Sequence, residues 1–131
     1  MSLSLSDPTL LQTHAYINGA WVDADDGATF PVSNPANGKV IAQVAKVGAA
    51  ETRRAIEAAR VAMDSWKAQP AKQRAAVLRR WFDLMLVHQE DLAHIMTAEQ
   101  GKVLAESRGE VAYGASFIEW FGEQAKRIDA M

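Results

Sequence analysis

The apolar residues of this chain change their spacing once, near Ala49, from about every second residue to every third or fourth, which calls for strands first and helices afterwards. The early part carries β-prone runs punctuated by turn residues. Tyr16-Ile-Asn-Gly-Ala-Trp-Val22 contains Asn18-Gly19 as a turn signal, and Asp23-Ala-Asp-Asp-Gly27 supplies a second turn. Thr29-Phe-Pro-Val32 extends again, and Asn34 is biased away from helix by Pro35. Asn37-Gly38 then precedes Lys39-Val-Ile-Ala-Gln-Val-Ala-Lys-Val47, and Asn-Gly predicts a two-residue type I′ hairpin there, both central residues taking positive φ.

Beyond Ala49, Ile56, Ala59, Met63 and Trp66 share one face of a helix that opens at Glu51 and closes before Pro70. Pro70 suits the start of the next helix, where its missing N–H costs nothing. Val77, Leu78, Trp81, Leu84, Met85, His88, Leu92, Ile95 and Met96 then keep an apolar stripe. Unbroken to Gln100, that helix would be about 45 Å long, at roughly 1.5 Å per residue, and His88-Gln-Glu-Asp91 is the expected break. Gly101 is placed to end it in the left-handed conformation. A last helix from about Leu104 to Arg127 presents Val111, Ala115, Ile118, Gly122 and Ala125 on one face and Tyr113, Phe117, Trp120 and Phe121 on another. A helix apolar over most of its circumference is normally covered on both sides, so a partner or further chain is expected against the aromatic face.

The expected class is therefore α/β: N-terminal antiparallel strands or hairpins followed by three or four α-helices. Residues 1–15 are expected as a flexible leader, 16–47 as the strand and hairpin region, and 48–131 as the helical region of one incomplete domain.

At 131 residues, 49% apolar and 23% charged, the chain reads as one ordinary globular unit. The net charge of −2 is spread without a basic face, which argues against a nucleic-acid partner. No apolar run approaches the twenty or so residues of a membrane helix. The leader has neither the basic start and apolar core of a secretory signal nor the arginines of a mitochondrial transit peptide, so a cytoplasmic location is expected. Cysteine is absent, which removes disulfides, zinc–thiolate sites and thiolate catalysis from this chain.

The short motifs fail as chemistry. Gly101-Lys102 lacks the Walker pattern, since Met96 and Val103 stand where Gly and Ser or Thr are required. No G-x-G-x-x-G occurs. Asp23, Asp25 and Asp26 resemble a calcium loop only in part: counted from Asp23, Ala28 and Asn34 occupy its Gly and acidic positions. His88 and His94 diverge by about 240° around a helix, so neither pairs with the other on a metal, and His88 reads as a core or boundary residue. Ser107 and Ser116 lack a His at helical spacing to serve as base. Glu99, Glu106, Glu110 and Glu119 read as surface carboxylates, with Arg108 between the middle pair.

The order and spacing of several stretches are those of a known family. They are Tyr16-Ile-Asn-Gly-Ala-Trp-Val22, Val32-Ser-Asn-Pro-Ala-Asn-Gly-Lys-Val-Ile41, Ala55-Ile-Glu-Ala-Ala59, Arg79-Arg-Trp-Phe-Asp-Leu-Met85, Glu99-Gln-Gly-Lys102 and Gly109-Glu-Val-Ala-Tyr113. From near Tyr16 to Arg127 the chain resembles the N-terminal segment of aldehyde dehydrogenases. Ser116-Phe-Ile-Glu-Trp-Phe-Gly-Glu-Gln-Ala-Lys-Arg127 is similar to the succinate-semialdehyde (or glutarate-semialdehyde) branch.

The resemblance implies the leading part of the cofactor domain of an enzyme that oxidises a semialdehyde to a dicarboxylic acid with NAD or NADP. The family's Cys nucleophile, its Glu base, its cofactor loops and its carboxylate-gripping arginines have no counterpart here, so this chain alone is expected to bind no cofactor and to be non-catalytic. Its partners are then the semialdehyde in the complete enzyme, the remainder of the dehydrogenase, or copies of itself in a homo-oligomer. Ile128-Asp-Ala-Met131 departs from the family, which continues with an aromatic and a Gly into an oligomerisation arm; a truncated gene or frameshift is the expectation at this end.

Two sets of residues carry over. Val32 and Ser33, through backbone carbonyls, and Glu99, through its carboxylate, match positions that hold a sodium or potassium ion in some members. Gly109, Tyr113 and Phe117 match positions facing the aldehyde entry tunnel. A different class of reading is a stand-alone assembly or binding module, pairing through Trp81 and the aromatic face of the last helix.

Overall fold

The computed structural model describes residues 3–127; the sequence departure noted at 128–131 lies outside the described residues. Strands β1 (Ala15–Ile17) and β2 (Ala20–Val22) pair antiparallel, with Tyr16 opposite Trp21. Their rings stand 5.0 Å apart across the pair, the aromatic cross-strand contact that stabilises a short ribbon. Asn18 and Gly19 join the strands at φ 51° and 81°, so the type I′ turn forms here.

It does not form at Asn37-Gly38. Strands β3 (Thr29–Ser33) and β4 (Val40–Ala45) pair antiparallel, but only Gly38 has positive φ, at 68°. Asn34 donates its N–H to Lys39 O at 2.8 Å, and its side-chain oxygen accepts the Ala36 N–H at 2.9 Å. This Asx turn, reinforced by Pro35, spreads the connection over residues 34–39 and outcompetes the two-residue loop. The pairing also slips between Val32 and Ser33, which leaves a bulge next to the turn.

Helix α1 (Ala49–Ala68) begins at Gly48 and ends where Pro70 forces Gln69 into extended geometry, φ −67° and ψ 141°. Helices α2 (Ala71–Val87) and α3 (Gln89–Gln100) are separated by His88 alone, at φ −101° and ψ 15°. The break thus falls at the first residue of the polar run. Gly101 closes α3 at φ 74°, donating its N–H to Thr97 O at 2.9 Å. Helix α4 (Leu104–Gln124) follows. Two hairpins then four helices make up the expected α/β order.

The core is the cluster of α2, α3 and α4, and small residues set its spacing. Ala75, Ala93, Ala98, Val111 and Ala115 are buried. A Cβ on Gly122 would lie 3.3 Å from Leu78 Cβ, so α4 approaches α2 to nearly the limit that its backbone allows. The Thr97 and Ser107 hydroxyls, 2.8 Å apart, join α3 to α4 where Ser107 is fully buried. Helix α1 stands apart from this cluster. Its expected apolar stripe forms but points outward: Ile56 is 64% and Met63 55% exposed, and Trp66 is also exposed. The side turned to the first hairpin is the small one, with half-buried Ala55 and Ala58 across a gap from Tyr16 and Ile17.

Two buried carboxylates fasten the irregular first third to the helices. Glu51, in the first turn of α1, accepts N–H bonds from Gly48 and Asp25, both at 2.9 Å. Asp91, in the first turn of α3, accepts from Ser6 at 2.9 Å and Asp7 at 2.8 Å. An anion at that end of a helix also meets the positive end of its dipole. Farther along, Thr13 O takes the N–H of Ala45 at 2.8 Å, seating the leader on β4.

Candidate functional site

The rotation of α4 is fixed by what it buries. Ser107, Val111, Ala115 and Gly122 face α2 and α3, so residues two positions away from Val111 lie about 200° around the helix and must face outward. Gly109, Tyr113 and Phe117 occupy that outward face. Tyr113 is 67% exposed, Phe117 is exposed beside it, and their rings meet edge to face at 4.9 Å. Nothing lies within 4 Å of a Cβ built on Gly109. The result is an aromatic ledge with an open step at its N-terminal end. Trp120 and Phe121 extend the apolar surface, and Glu119, Glu123 and Arg127 rim a groove beside it. Glu119 is drawn towards α2 by Arg79 at 3.3 Å. The Lys126 ammonium at Glu123 holds that carboxyl below its ordinary value.

The second residue set lies on two elements, β3 and α3, whose ends approach each other. The turn after β3 reaches the end of α3, where Pro35 Cγ would stand 2.8 Å from a Cβ on Gly101. That places Val32 and Ser33 on the strand leading into the contact, opposite the skipped residue Ile41 of β4, and Glu99 on the helix leading into it. Val32 is half-buried, and Ser33 and Glu99 are exposed. Oxygen donors of this kind suit a hard cation. Among the described residues no three His, Asp or Glu side chains gather as a metal cluster; the proposed donor set is different, two carbonyls and one carboxylate.

Several other polar residues are engaged in the scaffold. Arg108 forms a fork with Glu90 at 2.5 and 2.8 Å, and Gln89 Nε2 donates to Arg108 O at 2.9 Å. The guanidinium holds Glu90 below the usual carboxylate range. Lys102 pairs with Glu110. His88 sits half-buried at the α2–α3 junction, a boundary position. The residue pattern does not single out the buried carboxylates Glu51 and Asp91, although each is an acid in the first turn of its helix, which is a recognisable N-terminal signature.

The aldehyde dehydrogenase family model matches residues 21–131, and the chain belongs to that family. Among curated relatives, it is 62% identical over 126 residues to a glutarate-semialdehyde dehydrogenase of Pseudomonas aeruginosa, covering 96% of this chain and 26% of the relative. It is 55% identical to an NADP+ succinate-semialdehyde dehydrogenase of Escherichia coli, with the same coverage of each. Among solved structures, a succinate-semialdehyde dehydrogenase from Burkholderia pseudomallei superposes with a TM-score of 0.93 at 57% identity, over 96% of this chain and 26% of that one. The chain thus spans about a quarter of the length of these relatives. No described helix is long and apolar enough to cross a membrane.

Proposed function

We propose that this chain is the N-terminal portion of a cytoplasmic, homo-oligomeric, NAD(P)-dependent semialdehyde dehydrogenase, and that residues 48–131 are the helical part of its cofactor domain. The observation that carries the reading is the 62% identity to a glutarate-semialdehyde dehydrogenase across nearly the whole chain. The outward faces of α1, α2 and α4 support it. Ile56, Met63, Trp81, Tyr113 and Trp120 are each more than half exposed, more apolar surface than an isolated small domain ordinarily leaves to water. The remainder of such an enzyme is the covering this surface fits.

The chain has no thiol and no glycine-rich phosphate loop, so it offers NAD(P) no seat of the recognisable kind, and no step of the oxidation is assigned to its residues. Its contribution is positional. Gly109, Tyr113 and Phe117 form one wall of the aldehyde's approach, where apolar rings strip water from the path to the reacting carbonyl. Val32 and Ser33 carbonyls with Glu99 hold a sodium or potassium ion that pins the β3–β4 turn to α3.

The test is to join residues 1–127 in frame to the last three-quarters of the P. aeruginosa relative. Oxidation of glutarate or succinate semialdehyde at a rate close to that relative's supports the reading. A soluble, folded hybrid that is inert toward both overturns it.

A further inference from the structure

Residues 3–7 lead up to a bend at Ser6 and Asp7, with Leu3 and Leu5 half-buried and Ser4 and Ser6 exposed. Among the described residues, the polar contacts that tie this segment to the helices are the two N–H bonds accepted by Asp91, from Ser6 and Asp7. The next tether along the leader is Thr13 to β4. Asp91 is 5% exposed, and each of its oxygens takes one of those bonds. A buried carboxylate is costly unless its lone pairs are met, so segment and side chain depend on each other. Asp7 turns its own carboxylate to Thr9, at 3.0 Å from its N–H and 2.6 Å from its hydroxyl. Glu90, beside Asp91, is taken by Arg108.

The segment also has something to cover. Leu3 and Ser4 form one wall of a cavity of about 240 Å³ whose other walls are Asn34 and Lys39 of the turn, Val40 of β4 and Ala98 of α3. Without residues 3–7 that cavity would be an open notch between the second hairpin and α3.

We propose that residues 3–7 are a hinged strap, latched by Asp91, that closes this cavity and opens as a unit about the Thr13 anchor. It goes beyond the assignment to a dehydrogenase and does not depend on it. The latch is a two-point one: an amide in place of the carboxylate keeps one acceptor oxygen and presents an NH2 group to the second N–H.

The absence of cysteine makes the test clean. In the full 131-residue chain, Ala98→Cys supplies a single thiol in the cavity floor. With the strap latched it reacts slowly with an aromatic disulfide reagent, and adding Asp91→Asn accelerates the reaction about tenfold or more, the loss expected when a charge-assisted bond is removed. Deleting residues 1–7 from the Ala98→Cys chain gives the same acceleration with Asp91 intact, which separates strap opening from any folding defect of Asp91→Asn. Amide exchange of the chain without substitutions provides the second reading: Ser6 and Asp7 are protected, and Asp91→Asn lowers their protection about tenfold while Val111 and Ala115 in α4 keep theirs. Equal thiol reactivity with and without the strap, or Ser6 and Asp7 amides exchanging at the free-peptide rate, overturns the proposal.

Discussion

Replacing Gly101 with alanine separates two costs that the structure puts at one position. Gly101 sits at φ 74°, and a side chain there also meets Pro35 Cγ at 2.8 Å. Gly27, at φ 70° with nothing within 4 Å, carries the first cost without the second. For an L-residue the left-handed region costs about 1–2 kcal/mol, and alanine recovers about 0.4–1 kcal/mol of it by restricting the unfolded chain. Gly27→Ala should therefore lose about 1.6 kcal/mol at most. At Gly101 the opposing atom belongs to a ring closed on its own backbone, so relief requires the whole 34–39 turn to move. Overpacking of that kind adds about 1–3 kcal/mol. Urea unfolding followed by tryptophan fluorescence measures the difference. With an m-value of about 2 kcal/mol/M, the Gly101→Ala midpoint should fall about 0.5–1.5 M below that of Gly27→Ala. Coincident midpoints would mean that the β3–β4 turn does not seat on the end of α3, and the proposed cation corner would lose its geometry.

Glu51 is held below its ordinary value by the N–H groups of Asp25 and Gly48, so its stabilising effect is full above the unfolded carboxylate value and is lost as pH falls through the lower folded one. The stability gap between the unaltered chain and Glu51→Gln, read by urea midpoints from neutral pH downward, should narrow over that acidic window; a gap that widens on acidification contradicts the assignment. Ser107→Ala removes a fully buried hydroxyl and leaves the half-buried Thr97 hydroxyl without its partner, which should cost about 1–3 kcal/mol, whereas Ser116→Ala, whose hydroxyl bonds only to its own helix at Tyr113 O, should cost less than about 0.5 kcal/mol. In the joined enzyme, Tyr113→Ala should alter KM differently for short and long aldehydes; identical changes for both would remove Tyr113 from the tunnel wall.

Helix positions were legible in the residues because strong stop signals coincide with the apolar period. Pro70 and Gly101 each terminate a helix where the spacing of Ile56 to Trp66 or Leu92 to Met96 runs out. The hairpin turns were half legible. Asn18-Gly19 and Asn37-Gly38 are the same dipeptide, but only the first is free of a competing Asn-Pro three residues earlier, and the Asx turn at Asn34 decides the second. Burial was the least legible property. The period reveals that Ile56, Met63 and Trp66 share a face but not what lies against it, and in this chain that face meets solvent while the alanines turn inward. Glu51 and Asp91 were hidden for the opposite reason: an acid near a helix start reads as a solvated cap, and only the path of a distant segment shows that its oxygens are buried.

A cysteine thiolate starts the oxidation in aldehyde dehydrogenases, and this chain has no cysteine to supply one. The most direct test incubates the purified 131-residue chain with succinate or glutarate semialdehyde and both NAD+ and NADP+, following absorbance at the reduced-nicotinamide band. No rise above the substrate-free control is expected. A rise that requires both the aldehyde and the folded chain would contradict the account.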